Sequence, residues 1–206
     1  MTTVRAVLFD MDGVLLFSVD AWFVVYNETL AHFGHPHVDR HAFEAIYGNG
    51  TEADRDTYMP ERTLEEIEEV YDRFFQRHLD QVRVNPEAAP VLEALRSRGL
   101  KTALATNTNR RLAGHLLAWA GLLPLLDALA SADEAGAGKP DPAVVRLAAS
   151  RVGEPLDACL FVGDSKYDEG AAVAAPVRFL GYRYGSGERM ESLMDIIGAC
   201  GASEIA

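Results

Sequence analysis

Apolar and polar positions along the chain fall into two rhythms. Val4–Phe9 is a short apolar run, β-branched at Val4 and Val7, and it stops at Asp10-Met11-Asp12-Gly13. That pattern predicts a buried strand entering a loop. From about Val19 to Gly34 the spacing shifts to three and four residues, through Trp22, Val25, Tyr26, Leu30 and Phe33, and predicts a helix. A second helix is expected near Asp39–Tyr47, broken by Gly48-Asn49-Gly50. A third starts at Thr63, where Glu66 three residues on makes a capping box ahead of Ile67, Val70, Tyr71, Phe74 and Phe75. Residues 16–84 thus read as a wholly helical block.

After Pro86 strands and helices alternate. A helix over Glu87–Ser97 ends at Gly99, a suitable C-terminal cap. Strands are expected at Lys101–Ala105, Ala128–Ser131, Ala158–Val162 and Val177–Leu180. Helices are expected from Asn109 to about Ala120, from Pro142 to Gly153, over Lys166–Ala175 and over Arg189–Ile197. Such alternation predicts a parallel sheet with helices on both faces. The expected fold is therefore α/β: a Rossmann-like core made of residues 1–15 and 85–206, with residues 16–84 inserted after the first strand as a helical cap.

Composition narrows the function classes. The chain of 206 residues is 49% hydrophobic and 24% charged, with a formal net charge of −12. A surface that acidic repels nucleic acid and anionic membrane. It repels phosphorylated small molecules too, so a site for one must carry local cations or a metal. The two cysteines, Cys159 and Cys200, suit inert thiols in a reducing compartment rather than a disulfide framework. The N-terminal apolar run is too short for a signal peptide core, and no stretch approaches the ~20 apolar residues of a spanning helix. A cytoplasmic protein, monomeric or dimeric, is the expectation.

In open α/β sheets ligands bind beyond the carboxyl ends of the strands. Here those ends carry Asp10-Met11-Asp12-Gly13, Thr106-Asn107, Lys139 in Gly138-Lys139-Pro140, and Gly163-Asp164-Ser165 with Asp168 beyond. Asp10 and Asp12, two residues apart, can face one pocket. Their mutual repulsion calls for a divalent cation or a shifted pKa. A carboxylate can act as a nucleophile and form an aspartyl-phosphate, and a neighbouring carboxyl can protonate the leaving group and then activate water. Asp164 can complete an oxygen-ligand set for Mg²⁺. Asp168 can orient a metal-bound water or fix Lys139. Thr106 and Asn107 precede a helix N-terminus suited to an anion, and Lys139 can neutralise the phosphate and the nucleophile.

These pieces resemble the haloacid dehalogenase-like superfamily, and more closely its phosphoglycolate phosphatase-like branch with a helical cap. The matching residues, Phe9–Leu15, Ala105-Thr106-Asn107, Gly138–Pro142 and Val162–Ser165 with Asp168, occur in order across nearly the whole chain. The resemblance implies Asp10 as nucleophile and Asp12 as acid/base. It implies Mg²⁺ held by Asp10, the Asp12 carbonyl and Asp164, and phosphate contacts from Thr106, Asn107 and Lys139. Gly13 and Ser165 count with them as phosphate-binding positions. Two departures stand out: Phe17-Ser18 where the family often has Asp-Ser, and Ala175-Pro176 where it often has Ala-Gly. The presence of Asp12 argues against carbon–halogen cleavage. The expected reaction is hydrolysis of a small phosphorylated metabolite, with phosphoglycolate as the default substrate. A phosphosugar mutase of the beta-phosphoglucomutase type and a non-catalytic binding or regulatory protein are the alternatives. Cap residues Asn49, Arg55 and Arg62 are candidates for meeting the substrate, the two arginines through a carboxylate.

Overall fold

The computed structural model describes residues 3–201. Its main sheet has six strands in the order β5-β4-β1-β6-β7-β8, and every pairing is parallel. Strand β1 (Ala6–Phe9) is central, between β4 (Lys101–Thr106) and β6 (Cys159–Gly163). All four of its residues are fully buried. Val7 and Phe9 enter one apolar layer, Ala6 and Leu8 the other. A strand covered on both faces has no solvent side to mark with polar residues, which is why it reads as an unbroken apolar run.

Helices α5 (Ala88–Ser97) and α6 (Arg110–Trp119) cover one face with Val91, Leu92, Leu95, Leu112 and Leu116. Helices α8 (Ala143–Val152) and α9 (Lys166–Ala174) cover the other with smaller side chains, among them Val144, Ala148 and Ala171. From β1 the chain steps to β4 and outward to β5 (Ala128–Ser131), then returns to β6 on the other side of β1 and on to β7 (Arg178–Tyr182). The strand order therefore reverses at β1, which opens a crevice beyond the carboxyl ends of β1, β4 and β6.

Between β1 and α5 the chain makes four helices: α1 (Val19–His32), α2 (Arg40–Ile46), α3 (Thr51–Tyr58) and α4 (Leu64–Phe75). They pack largely through aromatic edges, Trp22 lying 5.3 Å from Tyr71 and 4.8 Å from Phe75 between ring centres. The block is not wholly helical. Its two ends, β2 (Leu16–Phe17) and β3 (Arg83–Val84), pair as an antiparallel ribbon. The departing and returning chain run side by side there, and pairing satisfies backbone groups that a helix start would leave open.

Three further elements differ from the expectation. Helix α3 fills the stretch between Gly50 and Met59, to which the apolar spacing assigned no element of its own, because it buries no residue fully and so shows no apolar period. Arg189–Ile197 is not one helix: Arg189–Met190 extends the sheet as β8, and a single 3₁₀ turn leads into α10 (Ile196–Ala199). Glu87 accepts from Ser192 Oγ at 2.9 Å and Leu193 N at 2.6 Å, which anchors that turn. Pro142 caps α8 rather than opening it. Both cysteines are buried and free, and no helix among the described residues is long and apolar enough to cross a membrane.

The capping box of α4 is fully formed, with Thr63 Oγ1 accepting from Glu66 N at 3.2 Å and Glu66 Oε2 accepting from Thr63 N at 2.8 Å. Thr63→Ala removes one half of it and should cost about 1 kcal/mol. A thermal melt should show this as a fall of roughly 2–4 °C; an unchanged midpoint would mean the cap contributes nothing to the stability of the helical block.

Candidate active site

Asp10 is the first residue past β1. Its backbone N–H donates to Val162 O at 2.9 Å, so the neighbouring strand fixes where its side chain emerges. The Asp10 carboxylate meets the Lys139 ammonium at 2.7 Å, and the same ammonium meets Asp168 at 2.7 Å and donates to the Ala105 carbonyl at 3.0 Å. Lys139 is only 3% exposed and Asp168 not at all. All three ammonium protons therefore have acceptors, which is the condition for keeping a lysine charged inside a protein. Burial works against that charge, but Asp10 and Asp168 outweigh it and hold the lysine above its ordinary range.

The carboxylates feel the opposite pressure. Burial, then Asp168, pushes Asp10 well above the usual carboxylate range, with Lys139 pulling the other way. Asp164 is raised to about 7 by burial and by Asp168. Four carboxylates (Asp10, Asp12, Asp164 and Asp168) thus share one lysine. Carboxylate oxygens of Asp10, Asp164 and Asp168 lie within 4.8 Å of one another. Asp168 is already committed: one oxygen is on Lys139, and the other accepts from Ser165 N at 3.1 Å and from Ser165 Oγ. Asp10 and Asp164 remain as hard oxygen donors that could hold a divalent cation. Gly13 makes room for this. A Cβ there would stand 1.8 Å from Asp164 Oδ2, and its φ of +83° is one that side-chain-bearing residues seldom adopt.

Asp12 is buried by a different set. Ser18 Oγ donates to its Oδ1, Trp22 Nε1 donates to the same oxygen at 3.0 Å, and Thr108 Oγ1 donates to Oδ2 at 2.9 Å. Burial raises its pKa, and the three donors oppose that rise. Trp22 and Ser18 belong to the start of α1 and Thr108 to the loop after β4, so Asp12 is held where the helical block meets the core. Tyr47 reaches the same point, its hydroxyl 3.0 Å from Ser18 Oγ.

A cavity of about 410 Å³ opens over these groups. It is lined by Asp10, Asp12, Thr106, Asn107, Lys139, Asp164 and Ser165 from the core, and by side chains of α1–α4 from above. Of the residues singled out in the sequence, Gly13 stands outside this lining, against Asp164, and Asp168 lies beneath it. Asn107 is in the lining, but its amide braces the structure: Oδ1 accepts from Lys139 N at 2.7 Å, and Nδ2 donates to Lys139 O and Gly48 O, both at 3.0 Å. Asn49 lies in the lining. The candidates Arg55 and Arg62 do not: Arg55 pairs with Asp56 at 2.6 Å, and Arg62 lies over the Phe33 ring at 4.6 Å. Short-range acids and an aromatic ring on their own surface capture both. Sequence reasoning missed Thr108, whose partner Asp12 is 96 positions away, and also Ser18 and the polar role of Trp22, 6 and 10 positions from Asp12, because no local pattern marks which way the chain turns after the first strand.

Comparison with known proteins bears on the family and the fold. Residues 4–176 match the family model of haloacid dehalogenase-like hydrolases. A phosphoglycolate phosphatase of Cereibacter sphaeroides is 32% identical over 190 residues, covering 86% of this chain and 86% of its own. One from Pseudomonas putida is 30% identical over 197 residues, covering 89% and 71%. Among solved structures, a hydrolase from Pseudomonas syringae superposes with a TM-score of 0.82 at 24% identity, covering 96% of this chain and 97% of its own. The beta-phosphoglucomutase of Clostridium difficile does so with a TM-score of 0.76 at 18% identity, covering 87% and 84%, a likeness of fold. With a family match over most of its length and relatives at this identity, the chain belongs to the haloacid dehalogenase-like hydrolases.

Proposed function

We propose that the protein is a Mg²⁺-dependent phosphatase that hydrolyses a small phosphate monoester through an aspartyl-phosphate on Asp10. The observation that carries this is the Asp10 carboxylate, fixed by Lys139 at 2.7 Å on the floor of the cavity, with Asp12 lining the same space. Relatives named phosphoglycolate phosphatase support the reaction class and make phosphoglycolate the reference substrate to try.

The chemistry assigned to the residues balances as follows. An Asp10 oxygen bonds to phosphorus as the bond to the leaving alcohol breaks, and Asp12 gives its proton to that alcohol oxygen. Asp12 then takes a proton from water, whose oxygen attacks phosphorus and frees Asp10 and inorganic phosphate. Burial favours the protonated start of this cycle. The hydroxyls of Ser18 and Thr108 can donate or accept, so Asp12 can change protonation without orphaning a partner. Thr106, 1% exposed at the end of β4, offers its hydroxyl to the phosphate, with Ser165 and the Gly13 loop beside it. Asp10, Asp164 and the Asp12 carbonyl would hold Mg²⁺, which when bound offsets phosphate charge and polarises the phosphoryl group. Lys139, positioned by Asp168 and by Asn107 through its backbone, holds the nucleophile in place. Helices α1–α4 act as a cap that excludes water from the cavity.

Acid quenching during turnover of an aryl phosphate should trap one phosphoryl group per chain, located by mass spectrometry in the tryptic peptide spanning residues 6–40. Asp10→Asn should lose both the label and the turnover. A label elsewhere, or activity surviving the substitution, removes the nucleophile assignment.

The raised carboxyls also set a pH dependence. Asp164 and Asp54 both lie at about 7 in the folded chain, and burial is the main cause for each. Against an unfolded value of ~3.9, the folded state binds these protons more tightly. Their contribution is fully present below pH ~4 and is lost as pH rises through 7. In the presence of a chelator, the urea midpoint at pH 8 should therefore lie below that at pH 5. A higher midpoint at pH 8 contradicts the burial of these groups without a counter-charge.

A further inference from the structure

The upper half of the cavity has a character of its own. Its walls are the rings of Trp22, Tyr26, Phe43, Tyr47 and Tyr71, and one carboxylate, Asp54 on α3, is set among them. Asp54 Oδ2 accepts from the Tyr71 hydroxyl at 2.9 Å. Beside it the hydroxyl of Tyr26, a residue 2% exposed, has no hydrogen-bond partner. Both residues line the cavity, where an arriving polar group can pair with them.

The charges identify that group. Arg55 and Arg62 turn away, and Lys139 is fully paired. Lys166 lines the cavity from the N-terminal end of α9, over the Tyr167 ring at 5.0 Å, its Nζ 3.4 Å from the Ala45 carbonyl. Glu44, also in the lining, is paired with Arg40 at 2.6 Å. A carboxylate on the leaving group placed beside Asp54 would meet a like charge and ring faces. A hydroxyl would find an acceptor in Asp54 and an acceptor or donor in Tyr26, with its carbon skeleton against the rings. The cavity, about 410 Å³, lies within the ~300–1,000 Å³ usual for small-molecule sites and exceeds what a two-carbon ester fills.

We propose that Asp54, with Tyr26, selects a neutral, hydroxyl-bearing leaving group and disfavours one that carries a carboxylate. This rests on the phosphatase reading for where the phosphate sits, but binding can test it without turnover. Burial raises Asp54 to about 7, with the Tyr71 hydrogen bond foremost in opposing it, so its charge is present at pH 8. Glycerol 3-phosphate and 3-phosphoglycerate form a matched pair, differing by a terminal hydroxymethyl against a carboxylate.

Calorimetric titration of both into the Asp10→Asn protein with Mg²⁺ at pH 8 should show the glycerol ester binding at least about tenfold more tightly, since like-charge juxtaposition costs several kcal/mol. Asp54→Asn should bring the two to within about threefold, chiefly by tightening 3-phosphoglycerate. Tyr26→Phe should weaken the glycerol ester alone. Equal or tighter binding of 3-phosphoglycerate before any change at Asp54, or a ratio unmoved by both substitutions, overturns the assignment. Hydrolysis by the unaltered protein is read separately. The tenfold ratio without turnover leaves this selectivity standing and removes the phosphatase reading. Turnover without the ratio does the reverse.

Discussion

A single buried ammonium organises the site. Lys139 is wedged between Asp10 and Asp168, with the Ala105 carbonyl as third acceptor. Removing one partner of such a pair strands a charge in low dielectric, at a cost of roughly 3–5 kcal/mol. The surrounding loops accordingly exist to hold it. Asn107 grips its backbone on both sides, and Ser165 holds the far oxygen of Asp168. Gly163 lets Asp168 approach β6: a Cβ there would fall 2.3 Å from that of Asp168. The sheet supplies the frame, because strand order reverses at β1 and brings the ends of β1, β4 and β6 to one crevice.

One lysine does not balance four carboxylates. Burial is the main cause of the raised pKa values of Asp10, Asp12 and Asp164, and neighbouring carboxylates add to it at Asp10 and Asp164. Some of it is relieved by hydrogen bonds, as at Asp12, and the remainder falls on Asp10 and Asp164, whose free oxygens share the edge of the cavity. The helical block is part of the same electrostatic unit, since Trp22 and Ser18 reach down to Asp12 and Gly48 accepts from Asn107. Placement of α1–α4 and hydrogen bonding of the acid/base candidate are therefore linked.

Much of this was legible in the sequence because it depends on short-range rules. Buried parallel strands are continuous apolar runs, and the polar residues that end them, Asp10, Thr106 and Asp164, announce the crevice. The capping box at Thr63 follows from three-residue spacing, and the same spacing makes one of Ser165 and Asp168, which the sequence reading passed over. What escaped depends on distant partners or on weak patterns. Helix α3 has no apolar period to detect, and β2 and β3 are two residues each and exist only because they meet. Arg55 and Arg62 looked available as isolated cations, yet nearby acids and Phe33 take them. Thr108 and Asp54 acquire their meaning only when the helical block folds over β4, bringing together side chains from separate stretches of the chain.

If the unbalanced carboxylates around Lys139 hold a divalent cation, calorimetric titration of the chelator-treated protein with MgCl₂ should find one ion per chain, with affinity falling as pH drops below about 7, where Asp164 takes up a proton, and loss of binding in Asp164→Asn. Absence of binding at pH 8, or binding that survives Asp164→Asn with unchanged affinity, would contradict such a site.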